Sequence, residues 1–270
     1  MMQVSTFRPR KLPFAATFVL GLALAVSAGA SIIDITIDGS DAIFLAGRTD
    51  LIIPPANVGW PGGMIRHGGP TPEEILETLP PSIAVSAGDV IRAADPAVGG
   101  VNFFNGFGPP FFGPGGNGLD GSDLFSFGGI SGYKGPQGPL AGVFLDNSIP
   151  SAGPAPSTLD FNPAGLGIDF LTLSPALGQV FYIGDGVTGG NVFQEFTAPL
   201  GATRLFLGIP DGFGFVNGPG AYDDNDGAYR VRIGVNEVPV PEPTALALLG
   251  LGFGVLAFRR MRTTRGVRES

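Results

Sequence analysis

The side chains with the clearest chemical potential lie in a short stretch near the end of the chain, residues 217–227. Six oxygen-bearing side chains fall within these eleven residues, together with three glycines: Asn217, Tyr222, Asp223, Asp224, Asn225 and Asp226. Calcium takes six to eight hard oxygen ligands at about 2.3–2.6 Å, and a flexible turn can supply them. Asp and Asn also favour turns that bind nothing. The residues alone therefore leave two hypotheses open, a calcium site and a solvated hairpin turn.

The spacing excludes an EF-hand. If Gly227 is the sixth residue of such a loop, the twelfth is Ile233, where the EF-hand needs a bidentate glutamate.

The stretch instead resembles the turn of the calcium-dependent, galactose-binding PA-I-like lectins, whose pattern is Asp-x-Pro-Gly-Thr-Tyr-x-Asn-Asn-x-Gly. The resemblance extends back through residues 199–205 and faintly to residues 87–91. It implies a jelly-roll-like sandwich, a bound Ca²⁺ and sugar hydroxyls that complete the coordination. The ligands implied for this chain are the Asn217 side chain, the Ala221 main-chain carbonyl, and the Asp224 and Asn225 side chains.

Two features depart from the lectin pattern. Asn217 stands where the family has aspartate and Asp224 where it has asparagine, so the formal charge of the ligand set stays at −1. The family's sugar-contacting histidine follows the Gly-Asp-Val-Ile turn, whereas His67, the single histidine here, precedes it. The resemblance therefore supports calcium and carbohydrate binding without supporting a preference for galactose.

The elements that would hold this turn are β-strands. Immediately after it, residues 229–235 place aromatic and β-branched side chains at every second position, which predicts a half-buried strand. Residues 31–37 alternate in the same way. Further strands are predicted at residues 43–46, 82–86, 90–91, 168–173, 180–183, 192–196 and 204–209. Short strands separated by turns predict an all-β, jelly-roll-like sandwich over residues 31–238.

The middle of the chain lacks such periodicity. Gly, Pro, Phe and Asn dominate residues 99–165, and we expect runs such as 106–118 to form long loops or an irregular insert. One helix is predicted at residues 71–79, where Thr71-Pro72-Glu73-Glu74 combines an N-cap, a proline at the first helical position and a capping-box glutamate.

The N-terminus carries the features of a signal peptide over residues 1–30. Arg8, Arg10 and Lys11 precede an apolar stretch, and small residues follow with the Ala28-x-Ala30 cleavage pattern. The alternative is an uncleaved anchor helix, which the short, proline-containing apolar stretch disfavours.

The C-terminus, residues 239–270, has three ordered parts. The motif Pro241-Glu242-Pro243 leads into an apolar segment at 244–258 and then a basic tail at 259–270. This arrangement resembles the PEP-CTERM sorting signal, which implies an exosortase as processing partner and a short transmembrane helix. A plain C-terminal anchor after a proline linker is the alternative. Either one leaves the basic tail on the cytoplasmic side and the body outside.

The composition argues against several classes of function. Between the two ends, seven basic residues stand against 21 acidic ones, a net charge of −14 that disfavours nucleic acid as a partner. There is no cysteine for a thiol nucleophile or a disulfide, and no Gly-x-Ser-x-Gly elbow. We therefore expect a non-enzymatic protein at the cell surface or in an exopolysaccharide or biofilm matrix, either a calcium-dependent carbohydrate-binding module or a structural protein with no small ligand.

Overall fold

The computed structural model describes residues 30–55, 77–104, 110–150 and 154–237, and within these ranges the chain is all-β. The helical segments there are three short 3-10 helices, at Ile43–Leu45, Phe213–Phe215 and Tyr222–Asp224. In chain order the twelve strands are β1 (Ser31–Asp38), β2 (Ser82–Ala84), β3 (Val90–Asn102), β4 (Ser122–Leu124), β5 (Tyr133–Gly135), β6 (Ala141–Leu145), β7 (Thr172–Leu173), β8 (Val180–Tyr182), β9 (Glu195–Thr197), β10 (Arg204–Gly208), β11 (Val216–Asn217) and β12 (Asp226–Val235).

The largest sheet is built around β12, the strand predicted directly after the acidic stretch. Its five strands have the order β1-β12-β3-β9-β7, and β12 pairs antiparallel with β1 on one side and β3 on the other. The predicted alternation along β12 is confirmed, since Tyr229, Val231 and Ile233 are buried while Arg230 and Arg232 are exposed. Apolar side chains therefore point from this sheet into the core.

A four-stranded antiparallel sheet, β2-β10-β6-β8, packs against the first. The rings of Phe181 on β8 and Phe196 on β9 lie 5.0 Å apart between centroids, and both belong to one hydrophobic core shared by the two sheets. The predicted β-sandwich is thus confirmed as the fold class.

A small third sheet, β11-β4-β5, lies at the start of the acidic stretch. Parallel pairing places Val216 opposite Asp123 and Asn217 opposite Leu124. The strand that leads into the acidic stretch is consequently fixed by a segment almost a hundred residues earlier in the chain.

The same β1–β12 ladder brings the first and last strands of the described body together. Ser31 pairs with Val235, so the two ends of the described body lie side by side. The acidic stretch meets β12 at Asp226, the other end of the strand, and ten residues at about 3.3 Å each separate the two ends by about 30 Å.

No strand was predicted between residues 99 and 165, yet β4, β5 and β6 lie there. All five residues of β6 are buried, so this strand has no polar face and shows no alternation. Gly142 also weakens the strand signal, and the glycine is needed because a Cβ atom there would lie 2.6 Å from Cζ of Phe181.

Two other strand predictions also need correction. Residues 43–45 form a 3-10 helix, all of whose side chains are buried. An all-apolar run of this length has no periodicity that would distinguish a buried turn from a strand. In the predicted strand at 168–173, only Thr172–Leu173 pairs, at the edge of the five-stranded sheet.

Several predicted segments lie outside the described residues. These are the signal peptide up to residue 29, including Ala28, the predicted helix up to residue 76, and the sorting region with Pro241, Glu242 and Pro243. The last three residues of that helix, 77–79, are described and are not helical, since Thr78 forms a β-bridge with Asp41. Ala30 is described and is exposed just before β1. Within the described ranges no helix is long and apolar enough to cross a membrane.

The core of the sandwich predicts a large stability difference between two leucine substitutions. Leu205 on β10 is fully buried, whereas Leu200 in the preceding turn is 91% exposed. We expect Leu205→Ala to lower the free energy of unfolding by about 2–5 kcal/mol, because it removes buried contacts and leaves a cavity. Leu200→Ala should change it by less than about 0.5 kcal/mol. Urea denaturation followed by circular dichroism measures both, and equal effects would contradict the assigned core.

Candidate metal centre

The acidic turn, defined here as residues 217–225, connects β11 to β12 and is fixed at its start by the third sheet. The backbone N–H of Phe125 donates to the Asn217 carbonyl at 2.6 Å. Asn217 and Ala221 both adopt left-handed backbone conformations, with φ of 67° and 62°. Asn accepts this region readily, whereas Ala does so only where the surroundings impose it. The turn is therefore held in a shape that an isolated chain would rarely adopt.

Tyr222 anchors the middle of the turn to the end of β10. Its side chain is fully buried, and its hydroxyl donates to the Ile209 carbonyl at 2.7 Å. The same oxygen accepts the Asp211 N–H at 3.2 Å. Burial raises the pKa of the Tyr222 hydroxyl well above its ordinary value, so it is a neutral donor. This contact makes the turn a part of the folded sandwich.

Asn225 lies at the end of the turn and is 1% exposed. Its amide nitrogen, Nδ2, donates to the Gly39 carbonyl at 2.9 Å and to Oδ2 of Asp211 at 2.8 Å. Both N–H bonds are used, so the amide group has one orientation. Its oxygen, Oδ1, is buried and has no hydrogen-bond partner among the described residues.

Asp224, which precedes Asn225, also has a side-chain oxygen without a hydrogen-bond partner among the described residues. Oδ1 of Asp224 is buried and, within the described ranges, has no hydrogen-bond donor. Burial, followed by the negative charges of Asp223 and Asp226, raises the pKa of the Asp224 carboxyl to about 7. An ionised oxygen without a donor, in an acidic surrounding, is unfavourable, and either protonation or a bound cation would relieve the cost.

The four predicted ligands lie in different surroundings. Asn217 is exposed and Ala221 is buried in the left-handed conformation, while Asp224 and Asn225 each have an orphaned oxygen. Together they would offer one carboxylate, two amide oxygens and a main-chain carbonyl, a donor set that suits calcium. No three His, Cys, Asp or Glu side chains gather as a metal cluster in the described part of the chain. A calcium site at this turn would therefore depend on mixed oxygen donors rather than on a carboxylate cluster.

Sequence reasoning missed two residues that hold the turn. Asp211 is 2% exposed and Gly39 follows β1; both accept hydrogen bonds from Asn225. In the sequence, Asp211-Gly212 has the composition of an ordinary turn, and Gly39 has no side chain to suggest a role. His67, the single histidine of the chain, lies outside the described residues.

Exposed phenylalanines accompany the turn. In the described ranges the aromatic side chains that are largely exposed number four, at 47–59%: Phe104, Phe111, Phe125 and Phe213. Phe125 is hydrogen-bonded to Asn217 through the backbone, and Phe213 follows Asp211 by two residues. The Phe111 ring covers Gly227, where a Cβ atom would lie 3.1 Å from its Cε1. We call the three that lie beside the turn, Phe111, Phe125 and Phe213, the aromatic rim.

Comparison with known proteins identifies the end of the chain. Residues 239–262 match the PEP-CTERM protein-sorting motif, which confirms the predicted sorting signal. Proteins with this motif are exported and sorted to the cell surface by an exosortase, and the chain is therefore an exported protein. No curated protein and no solved structure matches the chain.

The raised pKa of Asp224 predicts how stability changes with pH when metal is removed. The folded-state pKa is about 7 against an ordinary value of 3.8, so the folded protein holds the proton more tightly than the unfolded chain. The stabilising contribution is complete below about pH 4 and is lost as the pH rises through about 7. In EDTA, the melting temperature of the wild-type protein should fall between about pH 5 and about pH 8.

Asp224→Asn provides the control, because it keeps the shape and removes the titrating group. It should reduce the fall in melting temperature over that pH range and should be more stable than the wild type at about pH 8. An unchanged pH dependence in this variant would show that Asp224 titrates as an ordinary carboxyl.

Proposed function

We propose that this exosortase-sorted surface protein is a non-enzymatic, calcium-dependent carbohydrate-binding module whose metal is held by the acidic turn. The observation that carries the proposal is the pair of buried, unpartnered oxygens on the consecutive residues Asp224 and Asn225, within the part of the chain that the structure describes. These are two of the four ligands implied by the resemblance to PA-I-like lectins.

The energetics favour a cation in this position. A buried oxygen without a hydrogen-bond donor costs about 1–3 kcal/mol, and two of them lie side by side in the sequence. A calcium ion would satisfy both oxygens and offset the raised pKa of Asp224. Four ligands from the turn would leave about two to four coordination positions for water or for hydroxyl groups of a ligand.

The aromatic rim supports a carbohydrate as that ligand. A sugar ring combines hydroxyl groups, which are ligands for calcium, with C–H faces that pack against aromatic rings. Apolar rings exposed together on a protein surface mark sites where a partner binds. Phe125 is 58% exposed and its backbone is bonded to that of Asn217, so one sugar could contact both the metal and the ring.

The direction of β12 supports presentation of this site to the outside. Val235 lies beside Ser31, and the sorting motif begins at residue 239. The acidic turn lies about 30 Å away, at the other end of β12. In a chain anchored through its sorting tail, the turn would face away from the membrane, where an extracellular polysaccharide is accessible.

Calcium should stabilise the protein through this turn. At about ten times its dissociation constant, calcium bound only to the folded state adds about 1.4 kcal/mol, or about 3–5 °C in melting temperature. We expect this rise in the full chain purified in detergent, and its loss in Asp224→Ala and Asn225→Ala. Asp34→Ala, which removes a 78% exposed carboxylate on β1, should keep the full rise. No change in melting at about 10 mM calcium would remove the metal from the proposal.

Carbohydrate binding should require both the metal and the aromatic rim. On an array of neutral, hexose-containing glycans, the wild-type protein should be retained in calcium and released by EDTA. Phe125→Ala should reduce retention at least several-fold while leaving the calcium-dependent rise in melting temperature intact.

Leu171→Ala is the matched control, since Leu171 is 57% exposed and lies beside β7. A protein that is stabilised by calcium but retained by no glycan would instead be a structural surface protein, the second function considered.

A further inference from the structure

We propose that Asp211 is a positioning residue of the metal centre: its carboxylate fixes the Asn225 amide so that Oδ1 of Asn225 faces the metal. The inference rests on the proposed function, because it assigns the orientation of one proposed ligand. Asp211 itself contributes no atom to the ion in this scheme.

The contacts of Asp211 hold it rigidly beside the turn. Its backbone N–H donates to the Tyr222 hydroxyl at 3.2 Å, and its carbonyl accepts the Gly220 N–H at 3.0 Å. In the side chain, Oδ1 accepts the Gly212 N–H at 2.7 Å, which leaves Oδ2 to accept from Asn225 at 2.8 Å. Asp211 is 2% exposed, so no bulk water competes for these bonds.

The orientation of the Asn225 amide determines whether the turn can bind a cation. An amide oxygen is a ligand for calcium, whereas an NH₂ group carries two protons and repels a cation. Nδ2 donates to two acceptors, the Gly39 carbonyl and Oδ2 of Asp211, and these bonds fix the side on which the nitrogen lies. The oxygen is left on the side where no described donor meets it.

A carboxylate at position 211 is required for this arrangement, because it has two acceptor oxygens. In Asp211→Asn, the side-chain oxygen would remain on the Gly212 N–H and the NH₂ group would face Nδ2 of Asn225. Two donors would then oppose each other. The conflict is relieved if the Asn225 amide rotates, which points its NH₂ group at the metal position and its oxygen at the introduced NH₂ group.

Calcium affinity of the Asp211→Asn variant tests the inference. In the full chain purified in detergent, titration calorimetry with calcium should give a dissociation constant raised about 10–100-fold over the wild type, the usual effect of losing a residue that orients a ligand.

Asp41→Asn is the matched control. Asp41 is another buried carboxylate, but it accepts from the Asp38 N–H and the Thr78 hydroxyl and not from Asn225. This variant should lower the melting temperature and keep the dissociation constant within about threefold of the wild type. A similar loss of affinity in both variants would mean that any lost buried charge weakens the site, and the positioning role would be overturned.

A charge-conserving exchange supplies the rescue. With Asp211→Asn and Asn225→Asp together, the NH₂ group introduced at position 211 can donate to one carboxylate oxygen at position 225, and the other oxygen can face the metal. The Gly39 carbonyl loses its donor in this variant, so the rescue is expected to be partial. This double variant should bind calcium more tightly than Asp211→Asn alone. It also decides the question if Asp211→Asn does not fold, since a folded exchange variant whose dissociation constant is still raised about 100-fold over the wild type contradicts the positioning role.

The outcomes separate this inference from the proposed function. If the wild type binds calcium, Asn225→Ala abolishes binding and Asp211→Asn binds as tightly as the wild type, the positioning role is wrong and the calcium site stands. If the wild type does not bind calcium at all, the proposed function fails first and Asp211 loses its assigned role with it.

Discussion

The structure depends most on the pairing of β12 with β1 and β3. The ladder joins the first strand of the body to the last, with Ser31 opposite Val235, and its inner face supplies Tyr229, Val231 and Ile233 to the core. The strand starts at the acidic turn and ends a few residues before the sorting motif. One ten-residue strand thus sets the relation between the candidate site, the core and the end by which the protein is sorted.

Around the turn, the fold accepts buried negative charge in a body that is already strongly acidic. Burial, together with the charges of Asp224 and Asp223, raises the pKa of Asp211 well above its ordinary value. Hydrogen bonds from Asn225 and Gly212 offset part of this cost. Natural proteins tolerate such local conflict mostly where it serves a site, and a bound cation is the partner that would resolve it here.

The alternation of side chains predicted β1 and β12, and ordered local features predicted the sorting signal. The strand β6 was missed, because a strand buried on both faces has no alternation and Gly142 looks like a loop residue. The bonds that orient Asn225 were missed as well. Its partners Asp211 and Gly39 lie 14 and 186 residues away in the sequence, and a local sequence pattern cannot predict contacts between residues so far apart. The ligands of the turn can be predicted from a motif, whereas the residues that orient them depend on the three-dimensional fold.

In the proposed function, export would allow a weak calcium site to be filled. A ligand set with a formal charge of −1 and neutral amide and carbonyl donors resembles the calcium sites of extracellular modules, whose dissociation constants are about 10⁻⁴–10⁻³ M. At the far lower free calcium of a cytoplasm such a site would stay empty, and the oxygens of Asp224 and Asn225 would lack a partner among the described residues. The metal would bind only after the body reaches the calcium-rich exterior, and the stability it adds would appear there. Without cysteine, the chain has no disulfide to stabilise it after export, so a calcium ion at the acidic turn would take that role.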